Sequence, residues 1–187
     1  NVTLTLPYGN DHVEIEVPGE LLLFDGAMPE AETIGGDEEI RKSVYRAIDE
    51  PTGKPPLGRL LEPDSDVLIL IEDTTRNSPL LPVLAPLLDY ITEAGVTENR
   101  ITLMTAPGTH RVMTEAELRA KVGDSIYERF EVVQHDFRDV SALVDLGSVE
   151  AGGHRVPVQV NRRVTEADVV IGTGNIKPHP DAGYSGG

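Results

Sequence analysis

The sequence predicts an α/β protein, and two observations carry that prediction. Short apolar runs such as residues 67–71 (Val-Leu-Ile-Leu-Ile) are typical of strands that are buried on both faces of a parallel sheet. Between these runs lie segments with apolar residues at helical spacing, as in successive βαβ units. We therefore expect a three-layer, Rossmann-like and mostly parallel sheet with added β-hairpins.

The N-terminal residues 1–26 are expected to form a β-hairpin region. Apolar and polar residues alternate over residues 2–6 and again over residues 13–17, with a turn sequence between them. Further along, Asp37 is expected to cap a helix that buries one apolar stripe. The stripe consists of Ile40, Val44, Ala47 and Ile48.

Residues 64–187 are expected to carry strand–helix repeats and the functional site. Four buried strands are predicted at residues 67–71, 101–104, 131–133 and 169–171. An apolar stripe between residues 80 and 91 predicts a helix, with Ser78 as its N-cap and Pro79 in its first position.

Two local motifs complete the predicted elements. Thr114 and Glu117 have the spacing of a capping box, which predicts the start of another helix. The pair Gly152-Gly153 separates two alternating segments, residues 144–149 and 156–160, and predicts a further hairpin.

Composition excludes several classes of function. Apolar residues make up 39% of the 187 residues, enough for a real core. The formal charge of −16 disfavours binding to nucleic acids and anionic membranes. No apolar run approaches a membrane span, and no signal peptide begins the sequence, so we expect a cytoplasmic location. The absence of cysteine excludes disulfides, thiolate zinc sites and iron–sulfur clusters.

Polar side chains follow each of the four predicted strands. Ligands of open α/β sheets bind outside the carboxyl ends of the strands, so we expect these side chains to share one edge. They are Asp73, Thr75 and Arg76 after the first strand, His110 after the second, His135 and Asp136 after the third, and His179 after the fourth.

Arg76 precedes a predicted helix N-terminus, where free N–H groups already favour an anion. A guanidinium there predicts a clamp for a carboxylate or phosphate, although an arginine paired with a surface acid is an equally good interpretation. Asp73 is a candidate to orient Arg76 or to accept a ligand hydroxyl, or it is a plain turn residue.

His110 and His179 are candidates for a pair of general bases. His110 follows a tight Gly-Thr loop, and His179 lies between two prolines that stiffen its backbone. For either histidine alone, a structural role is the simpler hypothesis, and His135 is expected to be structural. The residues thus predict a small-anion site with two possible bases.

Five segments, in this order and spacing, resemble the nickel-dependent lactate racemase family. They are Asp73-Thr74-Thr75-Arg76, Gly108-Thr109-His110-Arg111, His135-Asp136, Pro178-His179 and Gly183-Tyr184-Ser185-Gly186-Gly187. The resemblance implies that residues 1–187 form a single N-terminal α/β domain of a longer protein whose C-terminal domain is absent. The isolated fragment is then expected to be inactive.

The resemblance also implies a chemistry. The full-length protein would be an isomerase that racemises or epimerises 2-hydroxy acids by hydride transfer to a nickel-pincer nucleotide. This pyridinium mononucleotide would be attached through a lysine outside the chain. The expected partners are a small 2-hydroxy acid and the protein's own C-terminal domain, with neither nucleic acid nor membrane.

The resemblance assigns roles to single residues. His110 and His179 correspond to the two bases, and Arg76 to a substrate-binding arginine. The positions expected near the cofactor are Asp73, Thr75, Ser185, Gly186 and Gly187. No metal ligand is expected within the chain.

Two alternatives remain open. One is a non-catalytic domain that binds a small carboxylate or a nucleotide at the same cleft. The other is a metal-assisted hydrolase, in which His110, His135, Asp136 and His179 would supply the ligands, although no spacing argues for it.

Overall fold

The computed structural model describes residues 1–9, 11–23, 35–76, 78–180 and 183–185. Contacts between Cα atoms divide the chain into two compact units, residues 1–34 and residues 35–187. Each unit is described by itself below.

The first unit contains the predicted hairpin. Strand β1 (Val2–Tyr8) pairs antiparallel with β2 (Asp11–Val17), with Leu4 opposite Ile15. Because side chains alternate between the two faces of a strand, the paired apolar residues share one face of the ribbon. A short 3-10 helix, Gly19–Leu21, follows. Residues 24–26 of the predicted hairpin region lie outside the described residues.

The second unit contains the remaining elements. The strands are β3 (Val67–Ile71), β4 (Ile101–Thr105), β5 (Glu131–Gln134), β6 (Leu143–Ala151), β7 (His154–Asn161), β8 (Val169–Gly172), β9 (Lys177–His179) and β10 (Gly183–Ser185). The helices are α1 (Asp37–Asp49), α2 (Leu80–Glu93), α3 (Glu115–Val122), α4 (Asp124–Arg129) and α5 (Arg162–Glu166).

Four of these strands form one parallel sheet in the order β5-β4-β3-β8. From β3 the chain proceeds through β4 to β5 on one side, whereas β8 returns to the other side of β3. The strand order therefore reverses between β3 and β8, and such a reversal opens a crevice at the carboxyl ends of the two strands. The predicted α/β fold is confirmed, with a four-stranded parallel sheet and antiparallel hairpins.

The core lies between one face of this sheet and the helices. Val67, Ile69 and Ile71 alternate along β3 and belong to the same buried cluster as Leu84 and Ile91 of α2. Burial of each such side chain contributes roughly 1.5–3 kcal/mol. The cluster fixes β3 and α2, and so fixes the loop that joins them.

The opposite face of the sheet carries buried side chains of its own, near the short helix α5. Leu68 and Met104 are buried there, outside the main cluster. Each lines a shallow cavity together with residues of α5 such as Arg163 and Glu166.

Two predicted helix caps were wrong. The N-cap of α1 is Gly36, and Asp37 is its first helical residue, where a carboxylate still favours the positive end of the helix. The N-cap of α2 is Pro79, whose ψ of 79° is not helical. The Ser78 hydroxyl lies before the helix, where it donates to Glu72 (3.2 Å) and accepts from the side chain of Asn175 (3.1 Å).

Two other local predictions were confirmed. Thr114 accepts from the Glu117 N–H (3.3 Å) while the Glu117 carboxylate accepts from the Thr114 N–H (2.8 Å), which closes the capping box of α3. The hairpin β6–β7 turns at Gly152 and Gly153, whose φ angles of 57° and 76° explain why both are glycine. Within the described residues, every helix is too short or too polar to span a bilayer.

Candidate functional site

A cavity of about 500 Å³ lies at the carboxyl ends of β3 and β8, where the strand order of the sheet reverses. Leu70 and Ile71 at the end of β3 line one side, and Gly172 at the end of β8 lines the other. Arg76 and Asn175 extend the wall through the loops that follow these strands. The cavity thus occupies the sheet edge at which the sequence predicted a ligand.

Asp73 and His110 form a hydrogen-bonded pair at the same edge of the sheet. The Asp73 carboxylate Oδ2 lies 2.7 Å from Nδ1 of His110. Asp73 follows β3 and is buried, whereas the His110 side chain is 49% exposed. Because an ionised carboxylate only accepts, Nδ1 carries the proton and donates it. The other ring nitrogen, Nε2, is then the acceptor of the neutral imidazole.

Asp73 is held in its ionised form by its neighbours. Its Oδ1 accepts from the Thr75 backbone N–H (3.0 Å) and from the Thr75 hydroxyl (2.5 Å). Burial alone raises the pKa of Asp73, but the hydrogen bonds from Thr75 and His110 outweigh it, so the pKa lies below its ordinary value. The carboxylate is therefore charged and fixed in orientation at neutral pH.

The loop between β4 and α3 presents His110 to Asp73. The His110 N–H donates to the carbonyl of Pro107 (3.0 Å), which closes a tight turn. Gly108 has a φ of 61° within that turn, a conformation that disfavours a side chain at this position. The sequence predicted this tight loop but not the carboxylate that receives the imidazole.

Arg76 lines the cavity, and no described carboxylate pairs with its guanidinium. Its guanidinium donates to the Thr75 hydroxyl (3.1 Å), and among the described residues no carboxylate forms an ion pair with it. In a chain with 32 acidic residues, an arginine without such a pair beside a cavity favours the anion-clamp interpretation. The carboxylate of Asp73 bonds Thr75 and His110. Its contact with Arg76 is through the backbone, where the Arg76 N–H donates to the Asp73 carbonyl (3.3 Å).

His179 lies in a different local structure. It ends β9, which pairs antiparallel with β10, and its backbone lies opposite Gly183. Ser185 ends β10, opposite Lys177. Gly186 and Gly187, predicted near the cofactor, lie outside the described residues. A joint role of His179 and His110 remains a prediction.

His135 and Asp136 each form hydrogen bonds with other parts of the chain. The His135 N–H donates to the carbonyl of Thr105 (3.1 Å), and its Nδ1 lies 3.3 Å from the side-chain amide of Asn161. Asp136 accepts from the Arg138 N–H (2.9 Å). In the part of the chain that the structure describes, no three His, Asp or Glu side chains form a possible metal site. The hydrolase alternative therefore finds no support there.

The sequence did not reveal a second polar group beside the cavity. Lys121 of α3 donates to the Glu72 carboxylate (3.0 Å) and to the carbonyl of Arg76 (2.9 Å). Glu72 also accepts from Ser78, and Ser78 accepts from the side chain of Asn175 (3.1 Å). Lys121 and Glu72 are 49 residues apart, and no short motif connects them.

Curated relatives of the chain are lactate racemases. The protein of that name from Thermoanaerobacterium thermosaccharolyticum is 30% identical over 186 residues, which cover 98% of this chain and 42% of the relative. The lactate racemase of Lactiplantibacillus plantarum is 29% identical over 187 residues and is covered to 43%. The chain thus spans about two fifths of the length of these relatives.

Two solved structures are also similar to the chain. The lactate racemase apoprotein from T. thermosaccharolyticum superposes with a TM-score of 0.77 at 28% identity, over 98% of this chain and 41% of that one. A crystal structure of a Thermotoga maritima protein gives a TM-score of 0.63 at 29% identity, over 81% and 36% of the two chains. The sequence profile of the lactate racemase N-terminal domain matches residues 8–187. The chain therefore belongs to the lactate racemase N-terminal domain family.

Proposed function

We propose that this chain is the N-terminal domain of an isomerase that racemises or epimerises a 2-hydroxy acid. The observation that carries the proposal is the Asp73–His110 pair beside Arg76 and the cavity where the strand order reverses. A base and an anion-binding group at one edge of the sheet are what a hydroxy carboxylate requires. The names of the relatives support the same reaction class.

His110 is the first base of the proposed reaction. Asp73 holds the proton on Nδ1, so Nε2 is the nitrogen that takes the proton from the substrate hydroxyl. The negative charge of Asp73 compensates the imidazolium that forms, as a buried carboxylate does in other histidine-based catalysis. This charge is present at neutral pH because the pKa of Asp73 is lowered.

His179 is proposed as the second base. The keto acid formed after loss of the C2 hydrogen is planar at C2, so hydrogen can return to either of its faces. Each enantiomer then needs a proton acceptor on its own side, and two histidines satisfy this need. The short strand β9 gives His179 a defined backbone direction, which such a role requires.

Arg76 is proposed to bind the substrate carboxylate. A guanidinium offers two parallel donors that match the two carboxylate oxygens. Its freedom from ion pairs within the described chain leaves those donors to a ligand. Thr75 contacts both Arg76 and Asp73, and so couples the clamp to the base.

The residues present are compatible with the nickel-pincer nucleotide of the resembled family. A Cβ built at Gly172 meets no atom within 4 Å, so the cavity is open at the end of β8, and the cavity walls are polar as well as apolar. We propose Asp73, Thr75 and Ser185, with Gly186 and Gly187, as the positions that hold it. When bound, the group supplies the hydride acceptor and donor for C2.

The test is the full-length protein, produced in cells that make the cofactor. Intact mass, nickel content and racemisation of a single lactate enantiomer are measured on one preparation. The proposal predicts a mass excess of a mononucleotide adduct, about one nickel per chain, and formation of the opposite enantiomer. An unmodified, nickel-free and inactive full-length protein would instead support the non-catalytic binding domain.

A further inference from the structure

A chain of polar contacts, here named the Lys121 network, borders the cavity. It consists of Lys121, Glu72, the carbonyl of Arg76, Ser78 and Asn175. Each successive pair lies within 2.9 to 3.2 Å. The network joins three segments that are distant in sequence: the loop after β3, the helix α3 and the loop after β8.

The ionic part of the network is nearly buried. The side chains of Lys121 and Glu72 are each only 10% exposed, unlike the other ion pairs of the described chain, in which at least one side chain is 38% exposed or more. Burying two charges costs solvation energy that their attraction often does not recover. A stability role alone therefore explains this pair poorly, and its location beside the cavity suggests another.

The network has two effects on the cavity wall. Glu72 and Arg76 both line the cavity, and an unpaired carboxylate there would repel an incoming anion. Lys121 neutralises that carboxylate. The same ammonium group bonds the carbonyl of Arg76 and so fixes the backbone that carries the guanidinium.

The far end of the network reaches the loop after β8. Asn175 lines the same cavity and lies four residues before His179 in the sequence. Its side-chain amide donates to Ser78, which precedes helix α2. The two loops on either side of the crevice are thus held at a fixed separation by side chains.

We propose that Lys121 is a positioning residue for anion binding: it neutralises Glu72 and anchors Arg76 so that the cavity accepts the carboxylate of a 2-hydroxy acid. This inference rests on the proposed function, because it takes Arg76 as the substrate clamp. It assigns Lys121 and Glu72 a role in determining which ligands that site binds. Neither touches the reacting atoms, so both act through Arg76.

The experiment uses the full-length, cofactor-loaded protein and three variants: Lys121→Met, Lys121→Met combined with Glu72→Gln, and Lys42→Met. Lys42 forms an exposed ion pair with Glu38 on α1, so its variant controls for loss of a lysine charge. For each variant, steady-state kcat and KM for lactate are measured, and the melting temperature is determined separately. The Kd for racemic lactate is measured by calorimetry, since racemisation of a racemic mixture gives no net conversion.

Lys121→Met is expected to raise KM and Kd for lactate roughly tenfold, while kcat changes less than about threefold. The double variant is expected to recover part of this loss, because it removes the uncompensated carboxylate. Lys42→Met is expected to match the wild type. Unchanged KM and Kd in Lys121→Met, or a loss of melting temperature and kcat without any change in KM, would overturn the proposal.

The calorimetric measurement separates this inference from the proposed function. A wild-type protein that binds lactate in a Lys121-dependent manner but does not racemise it would refute the racemase and leave the network's role standing. If the wild type racemises lactate and KM is unchanged in Lys121→Met, only the proposed role of the network is refuted. A wild type that neither binds nor racemises lactate or any other 2-hydroxy acid tested would refute both.

Discussion

The carboxylate of Asp73 lies 2.7 Å from Nδ1 of His110, although the two residues are 37 positions apart in the sequence. The parallel pairing of β3 with β4 produces this contact, because it brings the loops after both strands to one edge of the sheet. The contact fixes both the orientation and the tautomer of the His110 imidazole. The proposed chemistry depends on this relationship more than on any other.

Asp73→Asn is expected to lower kcat of the full-length protein by about 10²- to 10⁴-fold, with little change in KM. Asparagine keeps the shape of the side chain but removes the charge that compensates the imidazolium, and its amide can donate to Nδ1 and select the wrong tautomer. Steady-state racemisation kinetics measure the effect.

A matched control for Asp73 exists in the same chain. Asp139 accepts hydrogen bonds from the Ser141 N–H (3.1 Å) and hydroxyl (2.5 Å), as Asp73 does from Thr75, but within the described chain it has no histidine partner. Asp139→Asn is therefore expected to leave kcat unchanged. Equal losses in the two variants would show that the effect is structural rather than catalytic.

The capping box of α3 predicts a pH-dependent stability. The hydrogen bond from Arg111, and then the Thr114 N–H, lower the pKa of Glu117 from 4.5 to about 2. Because the folded-state pKa is depressed, Glu117 stabilises the fold above about pH 4.5, and that contribution disappears as the pH falls through about 2.

Glu117→Gln tests this pH dependence by thermal melting. The wild type is expected to melt above the variant at pH 7, and the difference is expected to narrow steadily between pH 4.5 and pH 2. Glu38→Gln, on the exposed surface of α1, controls for the change in net charge. A melting difference that stays constant over this range would contradict the assignment.

The packing of α2 on the sheet predicts how much the fold is destabilised when a buried leucine is truncated to alanine. Leu84 is fully buried (0% exposed) in the cluster that contains Ile69 and Ile71. Leu84→Ala is expected to reduce the free energy of unfolding by about 2–5 kcal/mol in urea titrations. Leu81, on the same helix but 45% exposed, is the control, and its replacement by Ala is expected to cost less than about 1 kcal/mol.

Features that depend on neighbouring residues were predictable from the sequence. The apolar run of β3, the capping box at Thr114 and Glu117, and the turn at Gly152 each arise from local chemistry, and the structure contains all three. The edge at which the site lies was also predictable, because parallel strands place their carboxyl ends together.

Contacts between distant segments were not predictable in the same way. The Ser78 hydroxyl suits an N-cap by its type, yet the structure uses it to bridge Glu72 and Asn175. Lys121 looks like an ordinary helix-surface lysine until α3 packs beside the loop after β3. No spacing rule specifies such pairs, because their partners are chosen by the tertiary fold.

His110 and His179 are proposed to act as the two bases of a racemase. The most direct test is chiral analysis of the product that the full-length, cofactor-loaded protein forms from one pure lactate enantiomer. His110→Ala and His179→Ala are compared with the wild type and with His154→Ala, a histidine of the β6–β7 hairpin. We predict racemisation by the wild type and by His154→Ala, and none in either direction by the other two variants, with their nickel content intact. Full racemisation by His110→Ala or by His179→Ala would contradict the two-base account.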